Sequence, residues 1–237
     1  MDFKANLEGR VALVTGAAGG IGRAVALLLA ESGAAVVVSD RHQNADALGD
    51  LTSEIHRLNR SVLASTADIT SRSDIDQRLG DVLNEFGSVD ILVNVAGVYI
   101  NGPITAFSEF DWDETIEVNL KSAFLMCQAF SKVMCEQGQG SIINIASDSA
   151  IDVAEGDGPY ASSKSALVTF TRHLARELGG KGVRANVIAP GWVKTETTRS
   201  VWSDNTLLEE AEVCIPLGFM AEPADIGNVV LFIATQA

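Results

Sequence analysis

The stretch "DGPYASSK", residues 157–164, holds Tyr160, one of two tyrosines in the chain, and Lys164 four positions later. Residues four apart share one face of a helix. A free phenol titrates near about 10 and is a poor base at neutral pH. A neighbouring ammonium favours the phenolate and lowers that value. Such a pair could take a proton from a substrate hydroxyl, or return one. A hydroxyl donor beside it would stabilise charge building on the substrate oxygen. Ser147, just after the apolar run "SIINIA", is the candidate. Alone, a tyrosine and a lysine at this spacing read as a solvated helix face, so the rest of the chain has to decide.

The elements that would position these residues are legible. "RVALVT" (10–15), "AAVVVS" (34–39), "SVLAST" (61–66), "DILVNV" (90–95), "SIINIA" (141–146) and "RANVIA" (184–189) read as buried strands. Helix-like stretches lie between them at about 20–31, 43–59, 71–86, 111–136 and 160–179. This β-α alternation predicts an α/β fold: a doubly wound parallel sheet with helices on both faces. With 237 residues, 47% of them hydrophobic, and no linker tract, the chain is read as one domain over 1–237. Ligands of such sheets sit beyond the carboxyl ends of the strands. The segments there are "GAAGGIG", "DRH", "ADIT", "AGVYI", "SDSA" and "PGWVKT", small and polar as a ligand rim requires.

The first of these points to a dinucleotide. In "TGAAGGIG" (15–22), Gly16, Gly20 and Gly22, with Ile21 among them, follow the first strand and open a helix. Glycines let the backbone approach a ligand closely. The helix N-terminus offers free N–H groups to a pyrophosphate. Asp40 ends the second strand at the spacing expected for a carboxylate gripping the adenosine ribose. It would repel a 2′-phosphate and so favours NAD over NADP. Arg41 beside it could welcome that phosphate, and the two could instead form a local pair at a turn. Asp68 could bond the adenine amino group while Ile69 packs the ring, although an aspartate at a strand end is also a common turn former. Asn94, Ala96 and Gly97 follow the fourth strand, where small residues leave room for ribose.

Composition excludes other classes. A net charge of −14 repels nucleic acid and anionic lipid, and it weighs against an acidic carrier protein as partner. Three cysteines and three histidines are scattered without zinc-like spacing, so no metal site is expected. No apolar run approaches a membrane span and the start carries no signal pattern, so a cytoplasmic protein is expected.

Together these elements resemble the short-chain dehydrogenase/reductase family. The resemblance covers nearly the whole chain: the T-G-x-x-x-G-x-G loop at Thr15 to Gly22, Asp40, "AD" at 67–68, "N-x-A-G" at 94–97, "VNL" around Asn119, "INIAS" ending in Ser147, "YASSK", and "APGWVKT". It implies an NAD(P)-dependent oxidoreductase with Tyr160 as general acid/base and Lys164 also holding the nicotinamide ribose. Asn119 would hold a water that relays protons to Lys164. Pro190 would turn the chain after the sixth strand, and Val193 and Thr195 would bond the nicotinamide carboxamide. Ser147, Ser149 and Tyr160 are the expected substrate contacts, in a pocket lined by 98–102, 148–157 and a lid at about 192–219.

A homodimer or homotetramer built on helices 111–136 and 160–179 is also implied. Candidate interface residues are Phe124, Leu125, Met126, Phe130, Val133, Leu167, Val168, Phe170 and Leu174. Three features depart from the family pattern. Val95 replaces a second asparagine. Phe219 and Ala221 replace the usual Arg and Gly. The family's final edge strand, ending near "DGG", has no counterpart before the chain ends at "LFIATQA". The leading expectation is hydride transfer between NAD(H) and a neutral secondary alcohol, polyol or ketone. Its alternatives are an NADP(H)-dependent 3-oxoacyl reductase and a dinucleotide-binding sensor or scaffold that does not catalyse.

Overall fold

Six short runs rich in valine, isoleucine and alanine pair side by side in the computed structural model, which describes residues 5–235. The expectations drawn from the first four residues of the start and the last two of the end lie outside the described residues. The strands are β1 (Val11–Thr15), β2 (Ala35–Asp40), β3 (Val62–Thr66), β4 (Ile91–Asn94), β5 (Gly140–Ile145) and β6 (Val183–Ile188). All pair in parallel, in the order β3-β2-β1-β4-β5-β6. The order reverses between β1 and β4, which opens a crevice above their carboxyl ends. Register aligns those ends: Thr15 stands opposite both Ser39 and Asn94, and Asn94 opposite Asn144. The residues after each strand therefore emerge at one rim.

Both faces of the sheet are covered. Along β1, Ala12 and Val14 face a cluster with Val25 and Leu29 of α1 (Gly20–Glu31) and Leu51 and Ile55 of α2 (Ala45–Arg57). Val11 and Leu13 face the opposite cluster, with Ile75 and Val82 of α3 (Arg72–Phe86) and Met126 and Phe130 of α5 (Ser122–Gln137). Alternate strand residues point to opposite faces, so a strand buried on both sides is apolar throughout. Helix ends follow local chemistry. Ser71 caps α3 by accepting from the Asp74 N–H, and Gly87 ends it in the left-handed region at φ 74°.

Three elements differ from expectation. The helix expected over 111–136 is α4 (Glu109–Ile116), a π-helical turn at Glu117–Lys121 and then α5. Segment 192–219 carries two short helices, α7 (Arg199–Trp202) and α8 (Asn205–Cys214). An unexpected last helix, α9 (Pro223–Thr235), packs on α1 so closely that a Cβ at Gly227 would lie 2.5 Å from Leu28 Cδ1. Of the candidate interface residues, Leu125, Met126, Phe130 and Leu167 belong instead to the buried interior. Phe124 remains exposed and meets Phe170 of α6 (Gly158–Leu178) edge-on at 6.1 Å. No described helix is long and apolar enough to cross a membrane.

Candidate active site

The rim holds a cleft of about 380 Å³. One end is the glycine loop. Gly16 adopts φ 64°, and a Cβ there would lie 2.9 Å from the Ala96 backbone. At Gly22 a Cβ would stand 2.0 Å from the Gly16 carbonyl oxygen, so the turn into α1 closes only around glycine. Two polar side chains hold the loop in place. Asp40 Oδ2 accepts from the Ala18 N–H at 2.9 Å. Thr15 Oγ1 accepts from the N–H groups of Val95 and Ala96. Asp40 Oδ1 takes bonds from the Arg41 N–H and Asn44 Nδ2. Arg41 thus meets Asp40 through its backbone N–H, at a turn.

This end suits a dinucleotide. A Cβ at Gly19, on the cleft wall, would meet no protein atom within 4 Å, so open space borders the N-terminus of α1. Gly20, Ile21, Asp40, Arg41, Asp68 and Ile69 line the same wall. Asp68 also holds its own turn, accepting at Oδ1 from the N–H and hydroxyl of Thr70. Ala96, Gly97, Pro190, Val193 and Thr195 also line the cleft, with Ala96 against Gly16 and Thr195 against Gly20.

The other end gathers Ser147, Tyr160 and Lys164. The Ser147 hydroxyl donates to Asp148 Oδ1 at 3.0 Å and lies 3.2 Å from Ser149 Oγ. Lys164 is 4% exposed, and its Nζ donates to the Ile145 carbonyl at 3.0 Å. That nitrogen lies 5.7 Å from the centre of the Tyr160 ring. Burial pulls the lysine pKa down to about 8. Burial likewise pushes the Tyr160 phenol above its ordinary value. The Ser147 hydroxyl opposes that rise, and the Asp148 and Asp157 carboxylates add to it. The expectation that Lys164 lowers the phenol is therefore corrected for this structure. The ammonium bonds a backbone carbonyl, while desolvation and two carboxylates act on the phenol.

Three expected site residues are not among those that line the cleft. Asn94 is buried, and its Nδ2 donates to Asn144 Oδ1 at 2.8 Å, inside the sheet. Its Oδ1 is buried without a partner. Asn119 sits in the π-helical turn, where its Oδ1 accepts from the Val98 N–H at 2.8 Å. Its Nδ2 donates to the Val98 carbonyl and to Ser163 Oγ. Ser163 in turn donates to the Tyr160 carbonyl at 2.6 Å. Asn119 therefore braces the loop after β4 against the helix that carries Tyr160. Ser149 stands beside Ser147, and its N–H donates to the Ser147 hydroxyl and to Asp148 Oδ1.

Residues 10–206 match the family described as short chain dehydrogenase. The chain belongs to the short-chain dehydrogenase/reductase family. It is an NAD(P)-dependent oxidoreductase. Among relatives, the D-threitol dehydrogenase of Mycolicibacterium smegmatis is 38% identical, over 100% of this chain and 90% of its own. The 3-oxoacyl-acyl-carrier-protein reductase of Thermotoga maritima is 36% identical, over 97% and 92% respectively. A solved structure from Beutenbergia cavernae, of a candidate NAD(P)-dependent gluconate 5-dehydrogenase with NADP bound at low occupancy, superposes with a TM-score of 0.91. It is 34% identical, covering 98% of this chain and 92% of that one.

In this short-chain dehydrogenase/reductase the acidic loop 148–157 divides. Asp152 and Glu155 are exposed. Asp148 accepts a hydrogen bond from the Ser147 hydroxyl, and Asp157 is buried against the Tyr99 hydroxyl. The sequence placed both only within the pocket-lining segments 98–102 and 148–157, without singling out either. The only signal available was the position of both at segment ends that border the cleft.

Proposed function

We propose that this enzyme interconverts a neutral secondary alcohol or polyol and the corresponding ketone with NAD(H), with Tyr160 moving the proton. The observation that carries the reading is the meeting of Tyr160, Ser147 and Lys164 at one end of a cleft whose other end is the glycine loop. A nicotinamide cofactor held in this cleft would supply the hydride acceptor or donor. Ser147 orients the substrate oxygen, with Ser149 beside it. Tyr160 takes the hydroxyl proton in oxidation and returns it in reduction. The Lys164 ammonium would hold the nicotinamide ribose. Asn119, by bracing Val98 and Ser163, keeps the two walls in register. Pro190, Val193 and Thr195 line the cleft and would hold the nicotinamide.

The proposal treats the chain as one catalytic unit with residues 192–219 as its lid. The Trp202 indole N–H bonds the Thr195 carbonyl at 2.7 Å and the Thr198 hydroxyl bonds the Val193 carbonyl. Movement of α7 is thus coupled to the wall facing the cofactor. A neutral substrate follows from Asp148 and Asp157 beside Tyr160, which oppose further negative charge there. The threitol dehydrogenase is a relative whose name carries such a substrate.

Choice of NAD over NADP rests on Asp40, whose carboxylate lines the cleft where a 2′-phosphate would stand. Arg41 supports the second reading, an NADP(H)-dependent 3-oxoacyl reductase, because its guanidinium is not tied to Asp40 and borders the same space. Steady-state rates with NADH and NADPH on a panel of ketones and acyl thioesters, and with NAD⁺ on alcohols and polyols, separate the two. The expected result is faster turnover with NADH on an uncharged ketone. A strong NADPH preference would overturn the Asp40 argument. Tight NADH binding with no turnover across the panel would favour the non-catalytic sensor.

We further propose a cytoplasmic homodimer or homotetramer. Free cysteines at 127, 135 and 214 suit a reducing compartment. The face formed by Leu120, Phe124, Ala166 and Phe170 leaves aromatic surface open between two helices. Light scattering should give a mass of two or four chains, and Phe124→Glu should lower it. A monomer at the concentrations used for assay would refute this.

A further inference from the structure

Tyr99 and Asp157 lie 58 positions apart and meet at the catalytic end of the cleft. The Tyr99 hydroxyl donates to Asp157 Oδ1 at 2.7 Å. Asp157 is 8% exposed, and this is the one hydrogen bond that its carboxylate makes among the described residues. A buried carboxylate without a donor is costly, so the phenol is what makes this position tolerable for an acid. The Tyr99 ring stands edge-on to the Tyr160 ring, with centroids 5.0 Å apart and planes at 88°. This arrangement sets the positive edge of one ring against the negative face of the other. The ring is bonded at its tip and packed along one flank, while Tyr99 stays 43% exposed toward the cleft.

The same loop is fixed on two further sides. Asn119 bonds both the N–H and the carbonyl of Val98. The Gly102 N–H donates to the Gly156 carbonyl at 3.0 Å. Residues 98–102 are therefore strung between the π-helical turn and the start of α6. Tyr99 and Val98 line the cleft, so this loop is also its substrate-side wall.

We propose that Tyr99, held by Asp157, is a positioning and specificity residue for the proton-transfer step: its ring sets the tilt of Tyr160 and walls the substrate cavity. The inference rests on the acid–base role given to Tyr160 above. Tyr99 is not a rival base. Burial first, then the bond to Asp157, push its phenol up to about 12, so it remains a donor. The groups facing Tyr160 are Lys164 on its own helix, Ser147 and Asp148 after β5, Tyr99 after β4 and Asp157 at the start of α6. Among them Asp157 links the two tyrosines electrostatically as well as by contact.

Three variants test the clasp. Tyr99→Phe keeps the ring and removes the donor; it should lower kcat about tenfold with a smaller change in KM, as loosened alignment does. Tyr99→Leu removes the wall as well and should raise KM for the preferred ketone about tenfold, the scale of one lost aromatic contact with its buried area. Asp157→Asn keeps an acceptor and removes the charge. Tyr99 and Tyr160 are the two tyrosines of the chain, so tyrosinate absorbance reads them alone. Asp157→Asn should move that titration, and the pH profile of alcohol oxidation, to lower pH. In a Tyr160→Phe background the titration reads Tyr99 alone and should fall from about 12 when Asp157 is replaced.

Wild-type kcat and KM in both Tyr99 variants, or an unmoved tyrosinate titration in Asp157→Asn, would overturn the proposal. Activity in Tyr160→Phe would instead overturn the acid–base reading, while the titration, which needs no turnover, still tests the clasp.

Discussion

Tyr160→Phe should cut turnover by about three orders of magnitude and leave NADH affinity within about threefold, because general acid–base transfer contributes roughly 10²–10⁴ in rate. The argument is geometric. The Tyr160 ring packs edge-on to Tyr99 and lies under the Lys164 ammonium, and phenylalanine keeps both contacts. The hydroxyl bonds that build this corner run from Ser147 to Asp148 and from Ser163 to the Tyr160 carbonyl, and none requires the phenol oxygen. The substitution therefore removes a proton carrier and leaves its surroundings in place. Kinetically, kcat and kcat/KM should fall together, the pattern of an interaction made in the transition state. Fluorescence titration with NADH measures the retained affinity. Wild-type turnover in this variant would assign the proton to another group, and with it the reaction mechanism.

How much of this site was legible depended on how local its causes are. The four inner strands could be read because each is buried on both faces, and such burial leaves continuous apolar runs such as "VALVT" and "AVVVSD". The glycine loop could be read because the close approach of Gly22 to the Gly16 carbonyl excludes any other residue. Asn94 could not be placed, because a residue at a strand end faces the cleft or the interior according to the parity of its position, and Asn94 turns inward to Asn144. The π-helical turn at Asn119 was invisible because one extra residue in a helix leaves the apolar pattern almost unchanged. Met126 and Phe130 looked like interface residues because α5 is apolar beyond one stripe, yet the excess is used inside the molecule, against β1 and α3. The bond from Tyr99 to Asp157 had no local cause at all: it spans 58 positions and depends on two loops meeting over the same strand ends.

Lys164 carries the second large effect, and it acts on stability and function in opposite directions. Lys164→Met should abolish most turnover and weaken NADH binding by at least about tenfold, the scale of one lost charge-assisted hydrogen bond. Without cofactor at pH 7, however, the variant should melt at a higher temperature than wild type. The lysine has its pKa drawn from 10.5 down to about 8 by burial, so its charged form is disfavoured in the folded protein by roughly 3 kcal/mol. The sign follows from proton counts. Between pH 8 and 10.5 the unfolded chain binds a proton that the folded chain does not, so stability rises with pH across that window. Below it the cost is present in full.

Methionine fills the same channel without charge. It forfeits the bond to the Ile145 carbonyl, worth about 1–2 kcal/mol if that oxygen is left bare. The net gain is about 1–2 kcal/mol, or a few degrees in Tm for a chain of this size. Saturating NADH should reverse the order, because wild type gains binding energy that the variant has lost. Raising the pH through the window should shrink the difference without cofactor. Calorimetry with and without NADH at pH 7 and at pH 10 checks all three statements. A variant that melts below wild type without cofactor, or binds NADH as tightly, would mean that Lys164 is held in place for packing rather than for the ribose.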